Sequence, residues 1–175
     1  MISPEDKISL CILRLRTQVP FFGALTLFLK HGLDESIPTA CTDGREVLFN
    51  PRFVDDLALS ELDAVMVHEL LHAALLHIPR RGTRDPHLWN VAADIVVNGM
   101  IRSEPNLKLP LQPCIDPALE DYEVEEVYEI LHSRGTPPRL LGIGQDLMPE
   151  GEAGGGLTKP DQQDLESHWK QALQQ

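Results

Sequence analysis

The sequence predicts an α+β domain in which a small β-sheet packs against two buried helices, and three observations carry that expectation. Residues 65–76 form a run that is apolar on every side except for His68, Glu69 and His72. A helix of that kind has no solvent face. Residues 89–98 form a second such run, apolar over most of its circumference, with Asn90, Asp94 and Asn98 stacked at successive i+4 positions. Between residues 37–41 and 46–49 stands Thr42-Asp43-Gly44-Arg45, where Asp-Gly supplies the positive φ angles of a tight hairpin.

A length of 175 residues accommodates one main core, expected over residues 1–135. The longest apolar stretch is too short to span a bilayer, so no membrane segment is expected. The amino terminus, Met1-Ile2-Ser3-Pro4-Glu5-Asp6, lacks the basic start and apolar run of a secretory signal, which makes the cytoplasm the expected compartment. Cys11, Cys41 and Cys114 match neither a disulfide framework nor a zinc knuckle and read as small buried hydrophobes. A formal net charge of -12 argues against a phosphate-binding surface, despite the local patch Arg80, Arg81 and Arg84, so nucleic acid is not an expected partner.

In chain order, Ser3 as N-cap, Pro4 at the first helical position and the acidic pair Glu5 and Asp6 open a helix with the apolar stripe Ile8, Cys11, Ile12 and Leu15. It stops before Pro20. Residues 21–30 are too apolar for a surface loop and read as a buried strand, with Gly23 at its start or at a bulge. The hairpin follows, and Asn50-Pro51 caps a short helical turn through Phe53 and Leu57. Ser60 and Asp63 resemble a capping box that starts the first buried helix, expected to run to about residue 78 before Pro79 stops it. Asp85 as N-cap and Pro86 as first residue open the second buried helix, to about residue 101. Val124, Val127, Tyr128 and Leu131 mark an acidic amphipathic helix. Residues 136–160, rich in proline and glycine, read as a linker, and residues 161–175 as a helical segment leading toward a C-terminal domain absent from this sequence.

His68, Glu69 and His72 are spaced H-E-x-x-H, which sets two imidazoles one helical turn apart with a carboxylate beside them. Burying these groups without partners costs several kcal/mol, roughly, so they are expected to bind and activate a metal ion. Two histidines leave a catalytic zinc site one protein ligand short. Asp94, the one anion on the polar stripe of the second helix, is assigned as the third ligand. Asn90 and Asn98, one turn to either side, are suited to orient ligands or hold His68 in one tautomer, although ordinary buried amides would look the same. His77, five residues past His72, turns away from the metal face if the helix continues, and reads as a capping or surface histidine. His87 lies about 10 Å before Asp94 on the same face, too far to share the ion, and is placed outside the ligands or in solvent. Glu104 falls in a loop. Tyr122 or Tyr128 could supply a phenol to stabilise an oxyanion, with packing the stronger reading for Tyr128.

The blocks Ala40-Cys41-Thr42-Asp43-Gly44-Arg45, Phe49-Asn50-Pro51, His68-Glu69-Leu70-Leu71-His72, Arg80-Arg81-Gly82-Thr83-Arg84-Asp85-Pro86 and residues 89–98, in that order, resemble the VWA-like metallopeptidase family. The resemblance covers roughly residues 3–131. It implies a zincin-like core, with the sheet over an active-site helix and the third ligand on a second helix, and it implies a zinc-dependent peptidase. Family members commonly continue into a von Willebrand factor A-like domain and are found alongside AAA-type ATPases, so such an ATPase is an expected partner beside a peptide or protein substrate. This chain ends where that second domain would begin, and it offers Asp94 where the better-known gluzincins use Glu. The expected chemistry is peptide hydrolysis: Zn²⁺ on His68, His72 and Asp94 activates a water, Glu69 takes its proton and passes it to the leaving amine, and the hairpin strand nearest the cleft holds an extended substrate. The rival expectation is a catalytically silent, zinc-stabilised interaction module acting with an ATPase or an appended domain.

Overall fold

In the computed structural model, which describes residues 2–110, 113–135 and 158–174, Ser3 caps α1 (Pro4–Gln18) by accepting a hydrogen bond from the Asp6 amide at 3.1 Å. The helix buries Ile8, Cys11 and Leu15. The apolar stretch after it is not the expected strand. It forms α2 (Pro20–Leu25) and a 3₁₀ turn (Thr26–Phe28), and strand structure begins only at Lys30. The reason lies at Gly23, where an added Cβ would stand 2.5 Å from the Arg16 Cα. Only glycine lets α2 fold back against the backbone of α1, and a short apolar run has no periodicity that separates a buried helix from a buried strand.

Three short strands follow: β1 (Lys30–Leu33), β2 (Ala40–Thr42) and β3 (Glu46–Phe49). Their order is β1-β3-β2, with β3 parallel to β1 and antiparallel to β2, Cys41 standing opposite Leu48. The reversal between β2 and β3 uses the Asp-Gly pair as expected. Gly44 has φ 92, and the Asp43 carboxylate accepts from the amides of Arg45 and Glu46, both at 2.8 Å. Asn50 then caps α3 (Pro51–Asp56) by accepting from the Arg52 and Phe53 amides.

The first buried helix is α4 (Leu59–Ala74), and both of its ends differ from the expected ones. At the start the Glu61 carboxylate accepts from the Ala58 amide at 2.9 Å, so Ser60 and Asp63 do not form the capping box. Asp63 is instead fully buried and paired with Arg14 of α1 at 3.0 Å, which ties the two helices together. At the end, Leu76 adopts a left-handed conformation (φ 59, ψ 36), and the chain turns into α5 (His77–Arg81). Pro79 therefore sits in the first turn of a new helix, where its missing N–H costs nothing, and not at the stop of the old one.

Asp85 caps α6 (Pro86–Arg102), its carboxylate accepting from the Leu88 amide at 2.8 Å. The amphipathic helix is α7 (Val124–Arg134), with Val124, Val127, Tyr128 and Leu131 buried. Last among the described residues comes α8 (Lys159–Ala172), capped by Thr158. It buries Leu165, Trp169 and Ala172 in the same apolar core as α1, the sheet and α4, and the Trp169 indole donates to the Gly44 carbonyl at 2.8 Å. Residues 136–157 of the expected linker lie outside the described residues.

Two apolar clusters meet along α4 and α6. One holds α1, α2, the sheet, α4 and α8. The other holds Trp89, Ala92, Ala93 and Ile95 of α6 with Cys114, Leu119 and α7. The polar faces of α4 and α6 close on each other at that seam, in a protein whose described helices include none long and apolar enough to cross a membrane.

Candidate metal centre

One turn of α4 separates His68 from His72, and both rings turn into the seam so that their Nε2 atoms stand 2.9 Å apart. From α6, Asp94 Oδ1 approaches to 3.2 Å from His72 Nε2 and 3.7 Å from His68 Nε2. Two nitrogens and one carboxylate oxygen thus converge from two helices. None is accessible: His68 is 5% exposed, His72 0%, Asp94 3% and the adjacent Glu69 1%.

The donor set fits a divalent transition metal. Three atoms at those separations leave a point about 2 Å from each, slightly off their plane, which is the length of a Zn–N or Zn–O bond. Two Nε2 atoms so close also repel if both present lone pairs to each other, unless a cation or a proton stands between them. Burial pushes the His72 imidazole well below the usual histidine range, and neighbouring His68 pushes it the same way. A neutral imidazole is the form that ligates a metal.

The orientation of each donor is set from outside the cluster. The Asn98 carboxamide donates through Nδ2 to the Cys114 carbonyl at 2.9 Å, which fixes its Oδ1 3.0 Å from His68 Nδ1. His68 therefore carries its proton on Nδ1 and presents the Nε2 lone pair inward. Asn90 donates through Nδ2 to Asp94 Oδ2 at 3.2 Å, holding the carboxylate with Oδ1 toward the histidines. The three polar residues on α6 thus act on the cluster together, because i+4 spacing places them on one face.

His77 is where the sequence expectation fails. It is neither a cap nor a surface residue but is 1% exposed, and its Nδ1 lies 3.0 Å from His72 Nδ1. The left-handed Leu76 reverses the chain one residue earlier and carries the ring back to α4, which extrapolation of a continuous helix misses. Pro79 held the available signal, as a proline in a first helical turn. Other expected positions fall away from the cluster. His87 is exposed in the first turn of α6, so it does not orient the ligands. Tyr128 uses its hydroxyl to accept from the Asp85 amide at 3.1 Å, and its ring stacks on His132 and lies 6.1 Å from Trp89. That bond anchors the start of α6 to α7, and the ring's burial and stacking match the packing role expected of it. Tyr122 is exposed and lines, with Leu75, His77, Arg80, Met100 and Glu123, a surface cleft of about 210 Å³.

Substitution can rank the ligands. Asp94→Ala should lower metal content sharply and Asp94→Glu should keep part of it, because the longer carboxylate still reaches the seam, whereas His87→Ala should leave metal content unchanged. Elemental analysis of the purified variants decides it, and metal lost from His87→Ala but kept in Asp94→Ala would refute the donor set.

Residues 3–174 match the model of a family described as "Putative metallopeptidase domain". A protein of Thermotoga maritima named only "Uncharacterized protein" is 24% identical over 118 residues. That match covers 63% of this chain and 30% of the relative, so the chain spans less than a third of the length of the curated relative it matches. No solved structure matches.

Proposed function

From the premise that the chain belongs to the family described as "Putative metallopeptidase domain", we propose that it is a zinc-dependent peptidase of zincin-like type, with His68, His72 and Asp94 holding the metal and Glu69 as the base. The observation that carries this reading is the convergence of two His Nε2 atoms and one Asp oxygen from α4 and α6 within 4.8 Å of one another. Zinc held by these three side chains would supply Lewis acidity toward a carbonyl and would lower the pKa of a water molecule.

The remaining work falls to the chain's own side chains. Glu69 follows His68 directly, about 100° round the helix, so its carboxylate would be the group to take a proton from the attacking water and return it to the leaving amine. Asn98 keeps the His68 lone pair directed inward, and Asn90 keeps the Asp94 carboxylate from rotating. An extended peptide needs a strand edge beside the site. Of the two outer strands, β2 packs on α4 and would be the one to take it, once its buried edge is uncovered. Substrate access requires movement of the seam or entry beside it, because every donor is buried.

The test is direct. Zinc-loaded protein and chelator-treated protein should be incubated with a diverse peptide library and the products read by mass spectrometry. Cleavage that appears only with zinc supports the peptidase. Zinc binding with no cleavage in either sample favours the catalytically silent module, a reading in which an AAA-type ATPase or a VWA-like domain would be the partner.

A further inference from the structure

We propose that His77 is a positioning residue for the metal centre, holding His72 in the Nδ1–H tautomer so that its Nε2 lone pair faces the ion. The proposal rests on the metal reading given above.

Three observations converge on it. The two Nδ1 atoms of His72 and His77 are 3.0 Å apart, a distance at which one must donate and the other accept. If His72 Nε2 is given to a metal, His72 has only Nδ1 left to carry its proton. His72 then donates and His77 accepts, with His77 protonated on Nε2. The second observation is the backbone. Leu76 is the only described residue other than glycine with a positive φ, in a conformation that β-carbons disfavour, and the turn it makes is what returns His77 to His72. The third is the anchor. The Trp89 indole donates to the His77 carbonyl at 2.8 Å, and Trp89 is fully buried near the start of α6, the helix that also carries Asn90, Asp94 and Asn98. The same helix therefore fixes the third ligand and the residue that orients the second.

His68 and His72 are thus oriented by different chemistry. His68 is held by a carboxamide oxygen from α6 and His72 by an imidazole from α5. Both acceptors are uncharged groups, a carboxamide oxygen and the lone pair of an imidazole nitrogen. A carboxylate behind a ligating histidine would raise its basicity and add a further buried anion to Asp94 and Glu69; a neutral acceptor fixes the tautomer without that charge.

The experiment uses the whole chain, ¹⁵N-labelled at histidine and loaded with zinc, with long-range ¹H–¹⁵N correlation to read the tautomers. Wild type should show His72 protonated on Nδ1 and His77 protonated on Nε2. His77→Phe keeps a ring in the space but removes the acceptor, and should bind zinc about 10- to 100-fold more weakly in a chelator competition. His77→Gln, whose side-chain oxygen can accept from His72, should recover most of that loss. A role in packing alone would be satisfied by Phe as well as by Gln, so the order of the two variants separates positioning from filling. If His77→Phe unfolds, the wild-type tautomers still decide. His72 protonated on Nε2, or His77 itself ligating the zinc, overturns the role while leaving zinc binding intact. Failure of wild type to take up zinc overturns the metal reading and this role together.

Discussion

Glu69→Gln should retain its zinc and lose peptide hydrolysis by at least about 100-fold. The carboxamide has the size and shape of the carboxylate, so a helix position that is 1% exposed accepts it without a cavity. What disappears is the ability to take a proton from water. Glu69 is not among the residues whose donor atoms converge on the metal position, so zinc content should not follow activity. Wild type and variant should be compared at equal zinc occupancy against the same peptide library, with melting temperature recorded to show that both are folded. Equal cleavage by the two proteins would trace the activity to a contaminant and remove Glu69 from the mechanism. Loss of zinc together with activity would make Glu69 a ligand and overturn the division of roles along α4.

Replacing both metal histidines should have the largest effect on the folded state. His68→Ala with His72→Ala should abolish zinc uptake, because one donor from α6 cannot hold the ion alone. A ligand that binds only the folded chain stabilises it by about 4 kcal/mol when its free concentration is a thousandfold above the dissociation constant. That contribution should vanish from the variant. The wild type should therefore melt at a markedly higher temperature with zinc than with a chelator, whereas the double variant should melt at one temperature under both conditions. Removing the two rings also leaves Asn98 Oδ1 and His77 Nδ1 buried without their partners, so the variant should lie below even the metal-free wild type. A zinc-dependent shift that survives in the double variant would place the metal elsewhere.

Much of this protein could be read from local signals. The Ser3, Asn50 and Asp85 caps, the Asp-Gly reversal at residues 43–44 and the buried stripe of α7 appear where the sequence puts them, because capping and tight turns depend on residues within three or four positions of each other. The His68, His72 and Asp94 group was legible for a related reason. An apolar helix with a few polar residues at i+4 spacing must bring them to something polar, and two such helices in one small domain have each other.

What the sequence could not determine lies wherever one segment's conformation is chosen by another far along the chain. Residues 21–28 become helical because Gly23 lets them press against the backbone at Arg16, and nothing local to that apolar run distinguishes this from a strand. Asp63 looked like part of a helix cap and instead pairs with Arg14, 49 residues away. His77 looked like a surface residue because the expected helix was carried through Leu76, whereas the left-handed turn there buries it against His72 and ties its carbonyl to Trp89 on the next long helix. The amino-acid order by itself determined which helices are buried and singled out His68, His72 and Asp94 as a group that could hold a metal ion. Tertiary structure decided which partners hold those side chains in place, since conformations that are disfavoured locally persist only when distant contacts offset their cost.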